Sequence, residues 1–163
     1  MKKIDLGQMV TILANLGVIL GIVFLALELQ QNTASIRGAT YQSMSDTAVN
    51  QFQGVAEDTE LAVALVRTFM GVRRSDLSLE EWAKLIYFYL AFIHQLENSF
   101  NQHQAGLVDD SVFSSYGWNT AIPNTPAFRE YWFDFGRGVN TSSEEFIRFF
   151  EERFDLEPLP SVE

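Results

Sequence analysis

Cysteine is absent from the 163 residues. That removes disulfides, thiolate metal sites and cysteine nucleophiles, and it leaves the redox compartment undecided. Histidine is nearly as scarce, with only His94 and His103, which limits metal and acid–base chemistry. Basic residues are few: 11 Lys and Arg stand against 21 Asp and Glu, for a net charge of −10. A deficit of that size argues against binding nucleic acid through its phosphates and against a polybasic lipid contact. Proline is missing from the whole stretch between Glu28 and Pro123, so nothing there forbids long helices. No GxSxG, phosphate-binding loop, zinc spacing or EF-hand loop occurs. There is no convincing strand pattern, internal repeat or low-complexity tract.

What is present is ordinary for a globular chain of one domain: 47% hydrophobic and 20% charged residues, with length enough for a real core. The exception lies near the start. From Met9 to Leu27 run 19 residues without a charge, and only Thr11 and Asn15 are polar. At about 1.5 Å per residue the run nearly covers the ~30 Å hydrocarbon core of a bilayer. A cleaved signal would have a shorter apolar region followed by a small-x-small site, and "LALELQQ" is a poor one. A buried core helix would usually show a polar stripe. The expectation is a single-pass membrane helix. Lys2 and Lys3 precede it and Arg37 is the first basic residue after it, so the positive-inside rule leans to a cytoplasmic N-terminus. Gly17 and Gly21 form a GxxxG pair on one face and Asn15 can hydrogen-bond across such a contact, which makes these three the candidate residues for helix packing in the membrane.

The remainder reads as helices. "ASIRGATYQSMSDTAVNQF" places Ile36, Ala39 or Thr40, Met44, Ala48 and Phe52 at helical spacing, continuing the first helix with Gly38 as a flexible point. Asp58 or Thr59 caps a short helix that stops at Gly71. Ser78 and Glu81 form a capping box, with Leu77 and Trp82 at the staple positions, for a helix reaching about Ala105 and ended by Gly106. Its centre, "LIYFYLAFI", is too short to span a bilayer and reads as a buried bundle helix. Asp109 opens another helix, and Thr125 followed by Pro126 the next. Ser142 and Glu145 make a second capping box before "FIRFFEERF". The fold class is all-α: an N-terminal transmembrane helix continuing into a compact bundle of about five helices. The expected organisation is a tail over 1–8, a membrane helix over 9–29, a helical domain over 30–154 and an extended tail over 155–163.

"LELQQNTASIRGATYQ" (Leu27 to Gln42) resembles a recurrent bacterial pattern. It is the signature of an uncharacterised family whose hydrophobic N-terminal helix ends in a Gln-Ile-Arg-Gln-Asn-Thr-like run ahead of an all-helical domain of unknown function. "LENSFNQHQAGLVDDSVF" (Leu96 to Phe113) is similar to that family's Glu-Asn-x-x-x-Gln…Gly-Leu-Leu-Asp element, and "AFREYW" with "EEFIRFF" is a weaker third match. The resemblance implies an anchor and a helical fold, and no activity. The family's arginine, which would favour a cytoplasmic domain, is replaced here by Gln30.

Candidate chemistry is thin. His94, Glu97 and Asn101 share one helix face. Carboxylate-bridged metal bundles use Glu-x-x-His twice with two further glutamates, whereas here the order is reversed and occurs once. The expectation is a partly buried Glu97 held by polar pairing, with His94, Arg129 and Arg137 as the other members. "GRGVNTSS" follows no strand and reads as an interhelix turn. Aromatic residues crowd the C-terminal part, from Phe128 to Phe154. Tyr131, Trp132 and Phe133 are consecutive and cannot all point inward on an α-helix. Most of these aromatics read as core at helical spacing; those of Tyr131, Trp132, Phe133 and Phe135 that do not fit inside would form a surplus apolar face for a partner or ligand.

The sequence therefore points to a non-enzymatic membrane protein of the cell inner membrane that needs no cofactor or metal. Its helical domain would bind copies of itself or serve as an accessory subunit of a membrane-protein complex. Binding of a lipid or other apolar small molecule among the aromatic helices is the alternative. An enzyme built on His94 and Glu97 is a third reading.

Overall fold

The computed structural model describes residues 5–139 and 143–159. Its elements are all helical; no strand occurs among the described residues. Helix α1 spans Leu6–Glu57, α2 Thr59–Phe69, α3 Leu79–Gln104, α4 Asp110–Ser115, α5 Pro126–Tyr131, α6 Arg137–Val139 and α7 Glu144–Phe154. Short 3-10 turns occupy Arg74–Asp76 and Ile122–Asn124, and a π turn occupies Trp132–Gly136. The chain divides into two units, Met1–Ala39 and Thr40–Glu163. The boundary falls one residue past Gly38.

Local chemistry explains most helix limits. Asp58 ends α1 and caps α2: its backbone is extended and its carboxylate accepts from the Leu61 N–H at 3.0 Å. Ser78 and Glu81 exchange side-chain and backbone hydrogen bonds across the start of α3, the expected capping box. Asp109 accepts from the Val112 N–H, and Thr125 from the Phe128 N–H just before Pro126. Gly71 (φ 90°) and Gly106 (φ 70°) take the left-handed conformation that stops α2 and α3. The expected second box is not what starts α7: the cap is a single serine, and the residue three further on is Phe146, which cannot return the bond. Ser142 lies outside the described residues, and the cap of α7 is Ser143, whose hydroxyl accepts from the Phe146 N–H at 3.1 Å. Of the expected tail over 155–163, residues 160–163 are also outside the description. Leu156, at its start, is buried against the core.

The core of the second unit is built on α3. Leu85, Tyr89, Ile93 and Leu96, at helical spacing, are at most 1% exposed. Against them pack Ala64 and Leu65 of α2, Phe128 and Tyr131 of α5, and Phe146, Phe150 and Phe154 of α7. Each of the buried Leu, Ile and Phe side chains contributes about 1.5–3 kcal/mol by leaving water. The rings meet edge-on or tilted, for example Tyr89–Phe128 with centroids 5.0 Å apart and Trp132–Phe150 also at 5.0 Å, the arrangements aromatic quadrupoles favour. Within the second unit α1 presents Met44 as its buried residue, with Tyr41, Ala48, Gln51 and Val55 half-buried. The expected stripe is right at Met44 and Ala48. It then drifts: Phe52 is 74% exposed, because the inward face passes through Gln51 and Val55.

Candidate functional site

The first unit holds the charge-free run. The 18-residue window that marks α1 as apolar enough to cross a membrane has a mean hydropathy of 2.6, and 0% of it is buried. Leu13, Ile19, Leu20, Ile22, Phe24 and Leu25 are each more than half exposed. A helix apolar on every side has no face suited to water. By length and composition it can span a bilayer. Asn15 lies on the same exposed helix as Gly17 and Gly21, and a Cβ added at either glycine would meet nothing within 4 Å.

The residues expected to pair around Glu97 occupy several places. His94 Nδ1 lies 3.7 Å from Glu97 Oε2, and Glu97 Oε1 accepts from the Ser143 N–H at 3.2 Å. Glu97 thus joins α3 to the start of α7, where a negative charge is favourable. Arg129 donates to Asn124 Oδ1 and to the Asp155 carbonyl. Arg137 pairs with Glu151, Nε to Oε1 at 3.1 Å. That carboxylate also accepts from Trp132 Nε1 at 2.9 Å, so Glu151 is the hub of this corner, a role the sequence does not announce. Among the described residues no group of three His, Asp or Glu side chains gathers as a metal site would.

The aromatic run needs a correction. Tyr131 and Trp132, expected to leave surplus apolar surface, are both 0% exposed. Phe133 is half-buried against the core, and only Phe135, at 45%, stands open. The reason is that this segment is covered on two sides: Tyr131 packs on Tyr89 of α3, and Trp132 on Phe150 of α7. A π turn follows from Trp132 to Gly136. Gly136 closes the turn over the Tyr131 ring, where a Cβ would come within 2.7 Å of Cε1.

The open apolar surface of the second unit lies elsewhere, on α2. Its inner side buries Ala64, Leu65 and Thr68, while Val63, Val66, Phe69 and the capping Met70 are 51, 53, 53 and 78% exposed. Val63, Val66 and Met70 are spaced i, i+3, i+7 and share one face. Leu79, at the start of α3, is 85% exposed. The signal was in "TELAVALVRTF", which is apolar on both faces, and a helix of that kind is normally covered.

Ion pairs fix α2 at both ends. Lys84 Nζ bonds Asp58 at 2.9 Å and Glu60 at 2.7 Å. Arg67 pairs with Glu81 and donates to the Asp76 carbonyl. The Leu61 N–H, then Lys84, hold Asp58 below the usual carboxylate range; the Ser78 N–H, then Arg67, do the same for Glu81. Glu60 and Asp58 raise Lys84. Inside the core, burial pushes the Tyr89 phenol up to about 12. Thr68 and Thr125 lie near enough to temper that rise, but the hydroxyl makes no hydrogen bond among the described residues.

No family model, no curated protein and no solved structure matches the chain. The resemblance to the bacterial anchor-and-helix pattern therefore stands on the quoted residues alone.

Proposed function

We propose that the protein is a non-enzymatic, single-pass inner-membrane protein whose helical body is a protein-interaction module, self-associating or acting as an accessory subunit of a larger membrane complex. The observation that carries this reading is the charge-free segment of α1, long enough to span and exposed all round. Gly17 and Gly21 offer the close approach through which copies or partner helices pack in lipid. The open face of α2 supports an interaction role for the body. The charge rule favours a cytoplasmic N-terminus with the body across the membrane.

The test is fractionation of cells making the full chain. The protein is expected in the membrane pellet, retained through an alkaline wash, and in a complex larger than one chain in mild detergent. Full-length protein in the supernatant without detergent would end the anchor assignment. A clean monomer without a co-purifying partner would end the interaction assignment.

A second reading, binding of a lipid or apolar small molecule, draws on the aromatic cluster around Phe128, Trp132 and Phe150. Native mass spectrometry showing a retained ligand would favour it over the first.

A further inference from the structure

The outer face of α2 is unusual in combining apolar exposure with rigid backing. Val63, Val66, Phe69 and Met70 point away from a helix that is pinned at one end by Lys84 and at the other by Arg67. A preformed face loses little freedom when it binds. Its length, seven steps from Val63 to Met70, is about 10 Å, two turns of a docked helix. Val63 also lines a groove of about 440 Å³ with Thr59, Glu60, Ser78, Glu80 and Glu81. Glu60 and Glu81 are committed to Lys84 and Arg67. Glu80 is exposed and makes no hydrogen bond or ion pair among the described residues.

Charge decides what covers such a face. From Thr40 onward the chain carries eight basic and nineteen acidic residues, a net −11, while the first 39 residues carry a net +1. A second copy would bring another −11 body and another Glu80 to the contact, and like charges disfavour that. An anionic bilayer surface is repelled in the same way. A partner with apolar anchors and a basic rim meets both the ridge and the free carboxylate.

We propose that the α2 face formed by Val63, Val66, Phe69 and Met70, with Glu80 at its edge, docks a helical segment of a different protein that carries apolar anchors flanked by lysine or arginine. The mode is a helix laid on an apolar ridge, its anchors repeating at i, i+3 or i+4, and i+7. This rests on the protein-interaction reading above and names the partner class for it.

The test uses the full chain in its native membranes, with a photoreactive phenylalanine derivative in place of Phe69. A control chain carries the same group in place of Ser114, which is exposed on α4. Adducts are digested and the attached peptide is sequenced by mass spectrometry. The expected result is one peptide from another protein, apolar on one helical face and bearing Lys or Arg at its flanks. It should be captured from position 69 and not from 114. Its yield should fall about fivefold or more in Glu80→Lys and by less in Glu80→Gln, which keeps the shape without the charge. An adduct between two copies, an adduct to lipid, no adduct, equal capture from both positions, or a yield indifferent to Glu80 would each overturn the proposal. Pelleting of the same chains with membranes and their size in detergent are read alongside. A chain that pellets and assembles but fails at position 69 defeats the docking face and leaves the anchored-module reading standing.

Discussion

The phenol of Tyr116, the residue that closes α4, donates a 2.7 Å hydrogen bond to the main-chain carbonyl of Met44, 72 residues earlier in α1. The same oxygen accepts from Gln95 Nε2 of α3 at 2.8 Å. Three helices of the second unit therefore share one hydroxyl, and a second phenol, Tyr41, bonds the Asp109 carboxylate beside it. Tyr116→Phe should lower unfolding stability by about 1 kcal/mol. It should also speed hydrogen exchange around Met44 while leaving amides near Phe146 unchanged. Denaturant unfolding with exchange mass spectrometry reads both, and uniform loss of protection would mean the bond is not specific to this seam.

At Gly136 the Tyr131 ring occupies the space a methyl group would need. Gly136→Ala should destabilise the body by about 1–3 kcal/mol, the usual range for forcing volume into a packed site. Gly138→Ala, where an added Cβ meets nothing within 4 Å, is the matched control in a thermal melt. Equal melting temperatures for the two variants would contradict the close packing.

Glu151 satisfies the Trp132 N–H and pairs with Arg137. Glu151→Ala should cost about 1–3 kcal/mol, since it leaves a core indole N–H without its acceptor. Glu151→Gln keeps an acceptor and should recover most of the loss. Tryptophan fluorescence followed through urea unfolding measures this. No difference between Ala and Gln would show that the indole bond carries no weight.

Acid should loosen the second unit. Asp58, Glu81 and Asp109 all have carboxyls held below their ordinary values, by the Leu61 N–H, the Ser78 N–H and the Val112 N–H first in each case. A group whose folded pKa is depressed gives stability that is present above its unfolded pKa, about 4, and lost as pH falls through the lower folded value. Unfolding midpoints should hold steady from neutral pH to about 5 and fall below about 4. A midpoint that stays level to pH 3 would mean these contacts do not favour the ionised forms.

In the first unit, Gly17→Leu with Gly21→Leu should reduce self-association measured in mild detergent. Beyond the helix's own backbone, nothing among the described residues lies within 4 Å of a Cβ at either position, so a loss would report on contact between helices rather than on misfolding. Unchanged oligomer size would remove the GxxxG argument.

Local signals make much of this fold legible. The caps at Asp58, Ser78, Asp109 and Thr125 and the stops at Gly71 and Gly106 are decided by side chains within a few residues of one another, so sequence alone can place them. Where neighbours compete, register slips: Ser142 and Ser143 both precede acidic residues, and the cap is Ser143. One-face reasoning misplaces Tyr131 and Trp132, because α3 covers one and α7 the other, and that double coverage comes from helices distant in sequence. It misplaces Phe52 as well, since an apolar residue at the right spacing need not face the core when Gln51 and Val55 do. Glu151 and Tyr116 act through partners distant in sequence, which no short window contains.

The π turn over Trp132–Gly136 also makes the length of this segment a counted quantity. Adding one residue there would swing the downstream chain by about 100° around the axis, carrying Arg137 off the Glu151 carboxylate. Lineages of this protein should accordingly hold the length constant between Trp132 and Gly136.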